Sequence, residues 1–214
     1  MNTRNAIEII SRTNPQLKIS AIPGHFVTSH SHINFYIDIT KIKHRHMMAL
    51  AAAETMASQY KQSTVVDTIV CMDGSEVIGS FLAKDLSDAT ILSMNRSKNI
   101  NVIAPEFNAN NQMIFRENLM PMVEGKSIIL LIASITTGKT IKRSIECINY
   151  YNGKVAGISA IFSAIPEIEG IKINALFTPE DIPHYTTYSM RDCPKCKEGV
   201  KIDALVNSFG YSQI

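Results

Sequence analysis

The chain has no tryptophan and only four cysteines among its 214 residues. Thiols this sparse, at Cys71, Cys147, Cys193 and Cys196, do not form the dense framework that staples a small secreted domain. Cys71 and Cys147 sit in apolar stretches and are expected to be buried thiols. Strong charge of either sign is also missing. Lysine plus arginine is 21 and aspartate plus glutamate is 19, leaving a formal charge of +2. That balance excludes a strong electrostatic drive toward nucleic acid or an anionic membrane. No apolar run approaches the roughly 18–20 residues of a membrane span, and the longest, within residues 127–133, has the length of a strand. The start, MNTRNAIEIISRTNPQ, lacks the basic opening, apolar stretch and small-residue cleavage site of a secretion signal, so a cytoplasmic location is the expectation. Internal repeats and low-complexity segments are absent.

What is present is a globular composition, 45% hydrophobic and 19% charged, in a chain long enough for one domain with a small appendage. Residues 3–12 predict a short amphipathic helix carrying Ala6, Ile9 and Ile10 on one side and stopped at Asn14-Pro15. Residues 17–39 alternate, as in Ile33, Phe35 and Ile37, and read as short strands broken at Pro23-Gly24. A long helix is expected from about 41 to 60, with Met48, Ala52 and Met56 at helical spacing. Its start, His44-Arg45-His46, reads as a solvated face. A buried strand follows at 68–72, then a helix over about 76–88 and short strands at 90–94 and 100–104. Residues 105–124 read as irregular. The strongest strand, 127–133, runs into a helix over about 139–151, followed by strands at 154–162 and 172–177. Apolar strands alternating with helices indicate an α/β domain on a mostly parallel sheet flanked by helices. The tail from about 178 reads as loop.

The sharpest chemical feature is strand 127–133 running into Ser134-Ile-Thr-Thr-Gly-Lys-Thr140 and then a helix. Unpaired N–H groups and the dipole at a helix start favour an anion. Gly138 allows close approach to the backbone, Thr136, Thr137 and Thr140 add hydroxyls, and Lys139 adds a charge. One arrangement with this look is the nucleotide-binding loop G-x-x-x-x-G-K-[ST], matched here from Ala133 to Thr140 with alanine in the first position. Its magnesium-binding partner, an acid ending an apolar strand, is missing from 154–162.

The stretch Leu130-Leu-Ile-Ala-Ser-Ile-Thr-Thr-Gly-Lys-Thr140 more closely resembles the signature of the type I phosphoribosyltransferases. Gly24-His-Phe-Val-Thr-Ser-His-Ser-His-Ile-Asn-Phe-Tyr-Ile-Asp38 is similar to the N-terminal segment of the orotate phosphoribosyltransferases in that family. Asp67-Thr-Ile-Val-Cys-Met-Asp-Gly-Ser-Glu-Val-Ile-Gly-Ser-Phe-Leu-Ala83 is similar to their first core strand, pyrophosphate loop and following helix. The resemblance covers about residues 20–177. It implies a phosphoribosyltransferase-like domain over 1–178, with an N-terminal hood at about 17–39 and a C-terminal extension over 179–214.

It further implies transfer of phosphoribosyl from phosphoribosyl pyrophosphate to a nitrogenous base, orotate or another pyrimidine favoured, with release of pyrophosphate. Magnesium and a homodimer are implied as well, with neither nucleic acid nor membrane as partner. Carried over by position, Thr136, Thr137, Gly138, Lys139 and Thr140 would hold the 5′-phosphate. Met72, Asp73, Gly74 and Ser75 would hold pyrophosphate, and Phe26, Thr28, Ser29, His30, Ser31 and His32 would form the hood over the base. The chain departs from the pattern where the family has an acidic pair facing the ribose. Here those places are Ile132 and Ala133, followed by Ser134. Asp73 and Glu76 are the candidate substitute carboxylates, and His30 and His32 the candidate substitutes for a basic hood residue. Charged residues are scarce between 105 and 120, the place of the family's mobile loop, with only Glu106, Arg116 and Glu117 there. These departures leave open a catalytically reduced member that senses a phosphorylated ribose or nucleotide.

The tail motif Cys193-Pro-Lys-Cys196 has the spacing of a zinc knuckle. It supplies half of a four-ligand site, and His184 or a symmetry mate is the candidate for the rest. A redox dithiol or a plain turn are the other readings.

Overall fold

The computed structural model describes residues 6–88, 93–110 and 112–214. The chain opens with β1 (Ile7–Ile10), β2 (Lys18–Val27) and β3 (His32–Asp38), then α1 (Thr40–His44) and α2 (His46–Ala57). Next come β4 (Thr68–Cys71), α3 (Glu76–Ser87), β5 (Asn101–Ile103) and a small hairpin of β6 (Glu106–Phe107) and β7 (Met113–Ile114). β8 (Ser127–Ile135), α4 (Lys139–Tyr150), β9 (Lys154–Ser163), β10 (Glu167–Ile168) and β11 (Ile171–Phe177) follow. The C-terminal part holds β12 (Thr187–Tyr188), α5 (Pro194–Lys197), β13 (Ala204–Asn207) and β14 (Gly210–Gln213).

Two sheets divide the work. The central sheet has the order β10-β11-β9-β8-β4-β5 and is parallel except at its β10 edge. β8 lies in its middle and shows why. Ile129, Leu131 and Ala133 face the core shared with α2 and α3, while Ile128, Leu130 and Ile132 face the core shared with α4. A strand covered on both faces needs continuous apolar sequence. Burying one Leu or Ile side chain here contributes about 1.5–3 kcal/mol.

The second sheet has the order β12-β3-β2-β13-β14, with β1 on the free edge of β2. It is the hood. The tail supplies three of its strands: β13 pairs parallel with β2 through Ala204–Phe26 and Leu205–Val27, β14 pairs with β13, and β12 pairs with β3. A small core of Ile22, Phe26, Ile33, Tyr36, Ala204 and Val206 joins the two ends of the chain.

Several local expectations change. Residues 7–10 form a strand, with only Ile9 of the four buried, because pairing with residues 18–21 satisfies a backbone that a short solvent-exposed helix would satisfy poorly. The helix expected over 41–60 is two helices, broken where Arg45 turns extended, and it ends at Ala57. Of the strand expected at 90–94, residues 90–92 lie outside the described part, and 93–94 are not strand. The tail is not simple loop, because sheet pairing with the hood overrides its turn-rich composition. Among the described residues, no helix is long and apolar enough to cross a membrane.

Candidate active site

β8 runs two residues further than expected, to Ile135, and the chain then turns through Thr136, Thr137 and Gly138 into α4. Gly138 sits at φ +75°, and a Cβ there would lie 2.8 Å from the Cδ1 atoms of Ile165 and Ile168. Both its left-handed backbone and the close approach of the β9–β10 connection call for glycine. No side chain caps α4. Its first N–H groups therefore have no partner within the helix and point toward the turn. The extended strand also places residues 133–135 inside the sheet. That removes the long wrapping loop a G-x-x-x-x-G-K-[ST] site needs, so the turn is a short cradle instead.

A cleft opens above this cradle. Ser134, Thr136, Thr137, Gly138, Lys139 and Thr140 line its floor. The opposite wall is the tip between β2 and β3, with Thr28, Ser29 and His30, backed by Ile33, Tyr36 and Ile37 of β3. The tip is a tight turn in which the Thr28 hydroxyl oxygen accepts the N–H groups of His30 (3.2 Å) and Ser31 (2.9 Å). Asp73 closes one end, and Val206, Asn207 and Ser208 from the tail close the side. Phe162 and Tyr185, edge to face with ring centroids 5.1 Å apart, add an aromatic wall.

The sequence candidates divide accordingly. Phe26 lies in the hood's core and Ser31 is buried, its hydroxyl 2.9 Å from that of Thr28. His32 is turned away from the cleft toward the tail. Ile132 lines the cleft as an apolar surface, whereas Ala133 faces the opposite core. In the loop after β4, Met72 is buried, and Ser75 is buried with its hydroxyl donating to the Leu131 carbonyl. Asp73 at φ +58° and Gly74 at φ +72° make the turn. A left-handed aspartate is a strained conformation of the kind that collects at functional sites. Glu76 is exposed on the first turn of α3 and does not line the cleft.

One cation here has no warning in the sequence pattern. Lys43 of α1 is buried, donates to the Ser208 carbonyl at 2.9 Å, and lies 5.5 Å from the centre of the Phe209 ring. Its Nζ stands 3.4 Å from where a Cβ on Gly74 would be, so it sits against the loop after β4. Burial lowers the Lys43 pKa, opposed by Asp73 and Glu76. Burial raises that of Asp73, opposed by Ser208, Lys43 and the Ala133 backbone. Across the cleft, desolvation lowers the His30 pKa, and the nearby charges of Lys139 and Arg143 push the same way. An anion placed between the cradle and the tip would lie beside Lys139 and His30. Tyr36 is pushed up to about 12, mainly by burial, and remains a neutral hydroxyl at neutral pH.

Magnesium fits this cleft poorly as a protein-held ion. Asp73 is the one carboxylate among the described lining residues, and Ile132 and Ala133 bring none. The Cys193–Cys196 pair meets neither His184 nor a second dithiol: it meets His25 and His32.

No family model matches the chain. Curated proteins do. The orotate phosphoribosyltransferase of Thermus thermophilus is 24% identical over 202 residues, covering 93% of this chain and 98% of that protein. The enzyme of the same name from Caldicellulosiruptor bescii is 24% identical over 205 residues, covering 94% and 96%. Among solved structures, Mycobacterium tuberculosis orotate phosphoribosyltransferase in complex with 5-phospho-α-D-ribosyl 1-diphosphate is similar at a TM-score of 0.51 and 13% identity, covering 69% of this chain and 82% of that one. Adenine phosphoribosyltransferase from Thermoanaerobacter pseudethanolicus is similar at 0.50 and 15%, covering 82% and 96%. The fold is that of the type I phosphoribosyltransferases, and along nearly its whole length the chain is similar in sequence to orotate phosphoribosyltransferases.

Proposed function

We propose that the chain is a phosphoribosyltransferase that joins a nitrogenous base, with orotate or a related pyrimidine favoured, to the phosphoribosyl group of phosphoribosyl pyrophosphate. The observation that carries this reading is the single cleft in which the α4 cradle, the β2–β3 tip and Asp73 face one another. The 5′-phosphate would take the free N–H groups of Gly138, Lys139 and Thr140 and the hydroxyls of Thr136, Thr137 and Thr140. The ribose would lie over Ile132 and Ser134. Pyrophosphate would lie toward the Asp73-Gly74 turn, where Lys43 is the buried cation. The base would rest between the apolar wall of Ile33 and Tyr36 and the tip, with His30 as hydrogen-bonding partner.

In the reaction the base nitrogen forms a bond to C1 of the ribose. The bond from C1 to the pyrophosphate oxygen breaks, and its electron pair leaves with pyrophosphate. No protein nucleophile is needed, and the chain contributes by positioning and by excluding water. Magnesium would enter with the pyrophosphate, since Asp73 is the one carboxylate among the described residues lining the cleft. A homodimer is part of the proposal on the strength of the resemblance.

A second reading is favoured by one observation. Ile132 and Ala133 leave the ribose without the carboxylates that would stabilise positive charge as the bond to C1 breaks. A sensor of a phosphorylated ribose needs the cradle alone. Pyrophosphate release on mixing the chain with phosphoribosyl pyrophosphate, magnesium and orotate, uracil or adenine in turn distinguishes the two. Multiple turnovers with one base support the transferase, whereas tight binding without release for any base supports the sensor.

A further inference from the structure

His25, His32, Cys193 and Cys196 come from opposite ends of the chain, yet one nitrogen or sulfur from each lies within 4.8 Å of all the others. We propose that these four hold a structural zinc ion that clamps the C-terminal segment to the hood. This proposal is independent of the transferase reading.

The geometry supports it in three ways. First, a tetrahedral zinc with nitrogen at about 2.0–2.1 Å and sulfur at about 2.3 Å sets its ligands roughly 3.3–3.8 Å apart. Here Cys193 Sγ to His25 Nε2 is 3.4 Å, Cys196 Sγ to His25 Nε2 is 3.5 Å, and Cys196 Sγ to His32 Nδ1 is 3.4 Å. The remaining measured edge, His25 Nε2 to His32 Nδ1, is 2.9 Å and needs only a small opening. Second, the outer contacts prepare the ligands. His25 Nδ1 lies 3.0 Å from the Val200 carbonyl, which accepts its proton and leaves Nε2 with a free lone pair toward the cluster. The His25 N–H donates to Asp203 Oδ2 at 2.7 Å, and Lys195 donates to the Gly24 carbonyl at 2.6 Å, so the two segments are already in register. A Cβ on Gly24 would lie 2.8 Å from that same Asp203 oxygen, which glycine alone accommodates. Third, His25, His32 and Cys193 are buried, with Cys196 at the edge. Two sulfurs and two nitrogens with no open position are the donor set of a structural site, not of a catalytic one.

The consequence reaches the cleft. His25 and His32 flank the tip that carries Thr28, Ser29 and His30, and the cysteines precede the strand that carries Val206 and Asn207. A metal here fixes both sources of the outer wall at once. Metal-dependent folding of that wall is the expected behaviour.

The test uses the full chain purified under reducing conditions without chelator. Elemental analysis should find one zinc per chain, and stripping with a strong chelator should lower the melting temperature, with zinc restoring it. Cobalt titrated into the stripped chain should give the visible absorption of a tetrahedral thiolate site. Cys196→Ser and His32→Ala should each lose most of the bound zinc. The cobalt titration of the unmodified chain stands by itself, whether or not either variant folds. Stoichiometric iron in place of zinc would overturn the assignment. So would a fully reduced, metal-free chain that takes up neither zinc nor cobalt.

Discussion

The two walls of the cleft are built by different routes. The inner wall comes from one short stretch, residues 134–140, set by a strand before it and a helix after it. The outer wall is assembled from the β2–β3 tip and from Asn207 and Ser208 near the other end of the chain, with Lys43 of α1 holding the Ser208 carbonyl. The residues expected to form a phosphate cradle, Thr136 to Thr140, line this inner wall together. A local site can be read from spacing, while a wall made by distant segments carries no local signal.

Damage to the inner wall should have the largest effect. Gly138→Val introduces a Cβ at φ +75° against Ile165 and Ile168, at a cost of roughly 2–4 kcal/mol. The folded fraction should bind phosphoribosyl pyrophosphate at least about a hundredfold more weakly (that is, by about 2.7 kcal/mol), measured by calorimetry alongside urea unfolding.

Lys43→Met tests the non-local wall. It leaves the Ser208 carbonyl without its donor and Asp73 without its nearby cation. A loss of about 1–3 kcal/mol in unfolding free energy is expected, together with weaker pyrophosphate binding and near-normal binding of ribose 5-phosphate. Equal loss for both ligands would show that the two walls are not separable.

Asp73 gives the comparison a pH dependence. Burial raises its folded pKa above the ordinary value of 3.8. The folded chain therefore keeps this proton to a higher pH than the unfolded chain does. The stability it contributes is full below the unfolded value and is lost as pH rises through the folded one. Asp73→Asn, which keeps a residue tolerant of positive φ, should be more stable than the parent above that window and converge with it in acid. Chemical denaturation at a series of pH values reads the difference directly.

The smallest expected effect is at the tip. His30→Ala should weaken an anionic base analogue about three- to tenfold, roughly 1 kcal/mol, while leaving phosphoribosyl pyrophosphate binding within twofold (about 0.4 kcal/mol). Unchanged affinity for the base would remove His30 from the site.

Much of this was legible in the sequence, for identifiable reasons. The central sheet announces itself through runs such as Ile128–Ala133, because a strand covered on both faces must be apolar throughout. The cradle is legible because Thr136–Thr140 is contiguous. The opening strand was misread because Ile9 and Ile10 suit either period over so few residues, and pairing with β2 decided it. The tail reads as loop because its strands exist only by pairing, β12 with β3, β13 with Phe26 and Val27 of β2, and β14 with β13. Nothing near Lys43 in the sequence marks the Ser208 carbonyl that holds it. The cysteine pair was seen, but the histidines that complete it lie more than 160 residues away, at separations of 168 and 164 along the chain.

In the proposed reading, residues 134–140 and the Asp73-Gly74 turn together hold phosphoribosyl pyrophosphate. Titration calorimetry with phosphoribosyl pyrophosphate, with and without magnesium, on the parent chain and on Thr137→Val, with ATP as control, tests it most directly. Saturable binding of phosphoribosyl pyrophosphate, a clear weakening in Thr137→Val and no comparable binding of ATP are expected. Binding of ATP alone, or binding of neither ligand by a folded chain, would contradict it.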